Sequence, residues 1–286
     1  MHCAYDGLDK NTEAALLLSE AQLRRWLETR AEIFVSNPDM IAAMAAHIEA
    51  DYLKALNDGR DRVLMIVPVG PVGQYELLAQ RCLTGALSLD RLTLLIMDEY
   101  LTDSGAWISQ DDPLSFRRHL KEKLVDVLPE NLRPELVVPD PKALDAVPAL
   151  IEKMGGVDVC YGGVGITGHL AFNDPIPGLA SADYFASLPT RIVTLSSDTL
   201  LINSITAARG NVARIPRMAV TVGMKEILGA RRLRIFMNRN WQCAAIRRLA
   251  FGPVTGAYPA SLVQKHPDWT LHIVENVLQM PEPQLR

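Results

Sequence analysis

Apolar runs without alternation recur along this chain, each followed by glycine, proline or acidic residues. The clearest are residues 62–67, 92–97 and 157–161. A strand covered by helices on both faces has no polar side, so it reads as a continuous apolar run. Shorter runs at 33–35, 136–138, 191–195, 218–222, 233–237 and 269–274 predict further strands. Between them, apolar residues at helical spacing predict helices over 40–56, 74–83, 114–128, 143–154, 223–228 and 241–250. Ser36-Asn37-Pro38-Asp39 is a helix-start signal, with proline allowed in the first turn. Strands alternating with helices imply right-handed crossovers and an α/β fold: a single doubly wound, mostly parallel sheet with helices on both faces.

Residues 1–30 read as an N-terminal helical extension, with Ala14 to Leu18, Leu23 and Leu27 at helical spacing. No linker rich in Pro, Gly or Ser divides 31–286, which reads as one α/β domain. The extension, with Trp26, reads equally as a surface for a second copy or as a helix packed within the chain. The 286 residues are 49% hydrophobic and 22% charged, ordinary for a globular protein with a sizeable core. A net charge of −4 gives no field to attract nucleic acid or an anionic membrane. Cys3, Cys82, Cys160 and Cys243 are far apart, which suggests neither a disulfide framework nor a zinc site. No signal peptide and no apolar run of spanning length is seen, so a cytoplasmic location and no membrane partner are expected.

In an open α/β sheet, ligands bind beyond the carboxyl ends of the strands. Three chemistry-bearing segments fall there. One is the loop Pro68-Val69-Gly70-Pro71-Val72-Gly73, and another is Asp98-Glu99-Tyr100. The third is the glycine-rich stretch from Gly162 to Pro175, which presents His169 and, five residues later, Asp174. A carboxylate and an imidazole suit proton shuttling near neutrality. Taken singly, Asp98 or Glu99 reads as a turn or helix cap, and Asp174-Pro175 as a turn. Convergence of all three segments on one edge favours a site. His47, His119 and His266 have no evident partners and read as surface or packing residues, while His272 reads as a structural strand residue. No histidine pair has metal-ligand spacing, so no metal is expected.

These segments carry a resemblance. Leu95-Ile96-Met97-Asp98-Glu99-Tyr100 resembles the strand-plus-M-D-E-Y motif of the glucosamine-6-phosphate deaminase/isomerase family. The glycine loop is similar to that family's G-G-V-G-x-D-G-H-I-A-F-N-E-P, and Ile215 to Gly223 to its V-P-x-x-A-L-T-V-G. The likeness runs from about Ile33 to Val274. The related 6-phosphogluconolactonases share the fold and a G-x-G-x-D-G-H core, but Ala171-Phe172-Asn173 and M-D-E-Y favour the deaminase side. The resemblance implies a Rossmann-like fold and a sugar or amino sugar as small-molecule partner. It also implies no cofactor and assembly into homo-oligomers. It gives Asp98 the proton transfer between the first two sugar carbons, His169 the opening of the sugar ring, and Asp174 the support of the histidine's charge.

The departures bear on substrate. Thr167 stands where the family has an acid, leaving His169 with one charged partner fewer. The phosphate loop T-G-G-T/S-P becomes Val69-Gly70-Pro71-Val72-Gly73, without hydroxyls and with one N–H fewer. The phosphate-binding arginine falls at Ile205 and the lysine at Gln242. At roughly 1.5–3 kcal/mol per charged hydrogen bond, these losses remove several kcal/mol of phosphate binding. Compensating cations would come from Arg209, Arg214 or Arg239. Val69, Gly70, Val72, Gly73, Glu99, Gly165, Gly168, Ile205 and Gln242 are therefore the expected substrate-binding positions, and Thr167 joins Asp98, His169 and Asp174 in the catalytic set. Lactone hydrolysis, with His169 activating water, is the rival enzymatic reading. A non-catalytic sugar-binding regulator is the rival of another class.

Overall fold

The computed structural model describes residues 8–281; residues 1–7 of the extension, with Cys3, and 282–286 lie outside it. The chain forms α1 (Lys10–Leu16), α2 (Glu20–Leu27), β1 (Ala31–Phe34), α3 (Asn37–Asn57), β2 (Val63–Val67), α4 (Gln74–Leu83), β3 (Leu92–Ile96) and β4 (Asp98–Leu101). There follow α5 (Phe116–Leu120), continued by a π-helical turn Lys121–Val125, β5 (Glu135–Val137), α6 (Ala146–Lys153) and β6 (Val159–Gly163). The last part holds α7 (Ala182–Ala186), β7 (Arg191–Thr194), α8 (Ser197–Ala207), β8 (Met218–Thr221), α9 (Met224–Leu228), β9 (Arg232–Met237), α10 (Gln242–Phe251) and β10 (Trp269–Val274).

Seven strands form one parallel sheet in the order β1-β10-β9-β6-β2-β3-β5. Successive side chains of each strand enter opposite layers. Leu64, Ile66, Leu95, Leu233 and Ile235 face a core shared with α2 and α10. Val63, Met65, Val67, Leu94 and Ile96 face one shared with α3 and α4. With both faces covered, the strand has no polar side, which is why these strands read as unbroken apolar runs.

Three elements go beyond the sequence reading: strand β4 and helices α7 and α8. β4, β8 and β7 form a separate antiparallel sheet in the order β4-β8-β7. Met97 is the joint: its N–H donates to Val67 and its carbonyl accepts from Val222 N–H, so the chain leaves the parallel sheet and starts the small one. Asp98 and Glu99 therefore lie in a strand, not in a loop. Helix α8, unanticipated, begins where Ser196 caps Thr199 N–H. Val35 lies beyond β1 and is exposed.

The N-terminal extension is fixed to the body. Leu23 and Leu27 are fully buried in the α10-side core. Trp26 packs within the chain, its ring centroid 4.9 Å from Phe251 and 6.0 Å from Trp269. The fully buried Arg247 donates to the carbonyls of Leu18, Cys243, Leu278 and Gln279, tying the arm to the C-terminal turn. His47 is not without a partner, correcting the expectation: it lies 2.9 Å from Glu32, and its ring sits tilted against that of His272, centroids 4.6 Å apart. No helix among the described residues is long and apolar enough to cross a membrane.

Candidate active site

β2, β3 and β6 are neighbours in the sheet, so their carboxyl ends bring together the three segments singled out in the sequence. Asp98 opens β4 and pairs in register with Thr221 of β8. Thr221 Oγ1 accepts from the N–H of Phe172, which joins the small sheet to the glycine loop 3.1 Å away. Asn173 completes the joint, donating to Leu170 and Val222 carbonyls (2.9 Å each) and accepting from Arg191 (2.7 Å). One rigid unit therefore carries both Asp98 and the His169 loop.

Asp98 is 8% exposed, and no described residue donates a hydrogen bond to its carboxyl. Burial, reinforced by the charge of Glu99, pushes its pKa up to about 8. A carboxyl held close to neutral pH and left unpartnered is suited to taking and returning a proton.

His169 is also 8% exposed, and its Nδ1 faces three oxygens: Asp174 Oδ1 at 2.8 Å, Thr167 Oγ1 at 2.9 Å and Thr199 Oγ1 at 3.3 Å. Thr167 and Thr199 both donate to Asp174 Oδ1 at 2.7 Å, and Ser196 N–H reaches Oδ2 at 3.1 Å. Burial pushes the Asp174 carboxyl up, but the hydrogen bond and charge of His169 and the two threonine hydroxyls outweigh it, leaving it well below the ordinary carboxylate range. An ionised Asp174 places the imidazole proton on Nδ1 and leaves Nε2 free for chemistry. Thr167 is thus no mere loss of an acid: its hydroxyl helps keep Asp174 charged. Thr199 and Ser196 were missed in the sequence, although Ser196-Ser197-Asp198-Thr199 is a helix-start cluster.

Gly165 gives the ring its seat. A Cβ there would lie 1.9 Å from His169 Nε2, so no larger residue fits beneath it. Three other expected substrate contacts are corrected. Glu99 is fully buried, its carboxylate taken up by the N–H groups of Tyr100, Phe116 and Arg117 and by Ser115 Oγ, so it caps α5. Gly168, at φ +81°, faces inward, where a Cβ would meet the Tyr258 ring at 2.4 Å. Gln242 is buried, donating to Val164 carbonyl and accepting from Asn238 and Arg239 N–H, all at 2.8 Å. It braces the loop after β9 against the glycine loop.

The loop after β2 keeps Val69 partly buried and Gly70 and Val72 exposed. Gln74 Nε2 holds Val69 carbonyl at 3.1 Å, and Gly73, at φ +123°, begins α4 against Ile41. Beside Thr167 a cleft of about 590 Å³ opens, lined by Ile166, Pro175, Leu201, Ile202, Ile205 and Arg248 among others. Ile205 is 60% exposed there. Among the described residues lining it, Arg248 is the cation, its guanidinium over the Tyr258 ring at 3.9 Å. Of the compensating arginines, Arg214 is paired with Asp112 at 2.5 Å. A smaller concavity, about 260 Å³, lies at the amino ends of the strands, where Asp51 and Asp158 are paired with Arg234, Arg232 and Arg60.

No protein-family model matches the chain. Curated relatives do. A glucosamine-6-phosphate deaminase of Porphyromonas gingivalis is 31% identical over 234 residues, covering 76% of this chain and 82% of the relative. One of Hahella chejuensis is 30% identical over 240 residues, covering 82% and 85%. Among solved structures, a monomeric glucosamine-6-phosphate deaminase superposes with a TM-score of 0.72 at 23% identity, covering 87% of this chain and 98% of that one. The 6-phosphogluconolactonase of Trypanosoma brucei gives 0.65 at 14% identity, covering 87% and 97%. The two structures share the fold, and the sequence relatives go further: this chain belongs to the glucosamine-6-phosphate deaminase family.

Proposed function

We propose that this protein is a cofactor-independent sugar isomerase/deaminase whose phosphate recognition departs from that of its relatives. The observation that carries the reading is the pairing, on one rigid unit, of an unpartnered carboxyl at Asp98 with the His169–Asp174 pair. His169 Nε2 takes the proton of the anomeric hydroxyl and returns it to the ring oxygen, which opens the sugar. Ionised Asp98 then takes the C2 proton of the open aldose form and delivers it to C1 through an enediol-type intermediate. With a 2-amino substituent the intermediate is an enolamine. Protonation at C1 gives a ketimine, and water replaces its nitrogen at C2, releasing ammonia and leaving the ketose.

The anion end of the substrate is where the chain departs. Ile205 is apolar and exposed in the cleft, Gln242 is committed to the backbone, and the 69–73 loop offers no hydroxyl. Arg248 is the cation left to meet an anion beside Ile205. Ordinary 6-phosphosugars are expected to bind more weakly than micromolar, which isothermal titration with glucosamine 6-phosphate measures directly; micromolar affinity in this site contradicts the reading. Activity is tested on phosphorylated and unphosphorylated amino sugars, aldoses, ketoses and lactones, following ammonia, C2 proton exchange and acid release. Exchange supports the isomerase, acid release alone a lactonase, and binding without turnover a sensor.

A further inference from the structure

Three donor groups from three elements converge at the β1 edge of the sheet. Glu32 of β1 and His272 of β10 are register partners, and His47 reaches them from α3. Glu32 Oε2 is the common point, 2.9 Å from His47 Nε2 and 3.5 Å from His272 Nδ1. All three donor atoms lie within 4.8 Å of one another.

His272 is the informative member. It is 1% exposed, stacked on Phe236 at 4.5 Å, and its Nδ1 has no hydrogen-bond partner. A buried polar atom left unpaired is uncommon and costs stability unless something outside the protein satisfies it. Its other nitrogen, Nε2, lies 3.0 Å from Thr270 Oγ1, which is able to accept a ring proton and so turn the Nδ1 lone pair toward Glu32 and His47. The Arg234 guanidinium stands 3.5 Å from Nε2, on the opposite side of the ring, with its charge balanced by two hydrogen bonds to Asp51.

From this geometry we infer that Glu32, His47 and His272 form a binding site for a zinc-class divalent cation, with water as fourth ligand. Two imidazoles and one carboxylate suit zinc or cobalt better than magnesium or calcium, which take oxygen ligands. Donors around a tetrahedral zinc stand about 3.3 Å apart. The two contacts to Glu32 bracket that spacing, and a small inward turn of the half-exposed Glu32 and the partly buried His47 side chains closes the third. Zinc replaces the proton shared by His47 and Glu32. Because Glu32 is 51% exposed, the ion has a path from solvent. Bound there, it clamps the edge strand to its neighbour and to α3.

The test uses the full chain stripped with a chelator and titrated with zinc chloride alone, followed by calorimetry and thermal unfolding. Cobalt substitution reports the coordination number through its visible spectrum. The expected result is one equivalent of zinc at micromolar affinity or tighter, a melting temperature raised in proportion to occupancy, and a tetrahedral cobalt spectrum. Glu32→Gln and His47→Gln, both on side chains with solvent access, should leave the metal-free melting temperature near that of the parent. Each should weaken zinc by about tenfold or more and remove the melting shift. No binding overturns the assignment. So does equal binding by both variants, which signals adventitious metal elsewhere, and so does an effect of only one, which breaks the three-ligand set.

Discussion

At the scale of single residues, the site is built from two carboxylates pushed in opposite directions. Asp98 is buried without donors, and Asp174 is buried among four. The Asp98 carboxyl titrates near 8 in the folded chain and near its ordinary value of 3.8 when unfolded. The stability carried by its neutral form is therefore fully present below about pH 4 and is lost as pH rises through about 8. Asp98→Asn should melt at the parent's temperature near pH 4 and clearly above it at pH 9, as followed by circular dichroism across pH. In the parent, if Asp98 is the base proposed above, kcat/KM should climb about tenfold per pH unit below 8 and level off above it, since the base acts in its ionised form. Asp174 works with the other sign. Its lowered pKa gives stability present above 3.8 and lost as pH falls toward its folded value. Thr199→Val removes one donor from Asp174 and should cost roughly tenfold in kcat; it should also lower the melting temperature at neutral pH, a deficit that shrinks as pH falls and Asp174 protonates.

Glycines and caps decide the element scale. Gly165→Ala sets a methyl group where His169 Nε2 sits, so it should abolish turnover while the chain still folds, with circular dichroism and activity read together. Glu99→Gln exchanges one acceptor oxygen for an amide donor against the N-terminus of α5, and should cost about 1–3 kcal/mol in denaturant unfolding. The parallel strands were legible because burial on both faces forces an unbroken apolar run. The small sheet was not: β4 opens on two acids, Asp98 and Glu99, which read as a strand end, and the turn at Met97 is made by backbone hydrogen bonds that leave no composition signal. His169 and Asp174 were legible because the glycines beside them mark a close approach. Glu99 and Gln242 misled for the opposite reason, since a polar side chain at a strand end or helix start serves backbone groups as readily as a ligand.

For the molecule as a whole, the N-terminal arm belongs to the core. Leu23→Ala should destabilise the protein by about 2–5 kcal/mol, the range for emptying a fully buried leucine site; an effect below 0.5 kcal/mol in urea unfolding would place the arm outside the cooperative unit. Spacing along the chain revealed neither the Glu32–His47–His272 cluster nor the Arg247 staple, because their partners are brought together by β1–β10 pairing and by closure of the two chain ends. The family and its fold, by contrast, were written in contiguous motifs.

The proposed function turns on Asp98 moving the C2 proton. The most direct test is nuclear magnetic resonance of C2 deuterium uptake in heavy water, on aldoses and amino sugars with and without phosphate, comparing the parent with Asp98→Asn. Uptake is expected in the parent, strongest above pH 8, and at least about a hundredfold less in a folded Asp98→Asn. Uptake at the parental rate in Asp98→Asn, or none in the parent on any of these sugars, would contradict that role.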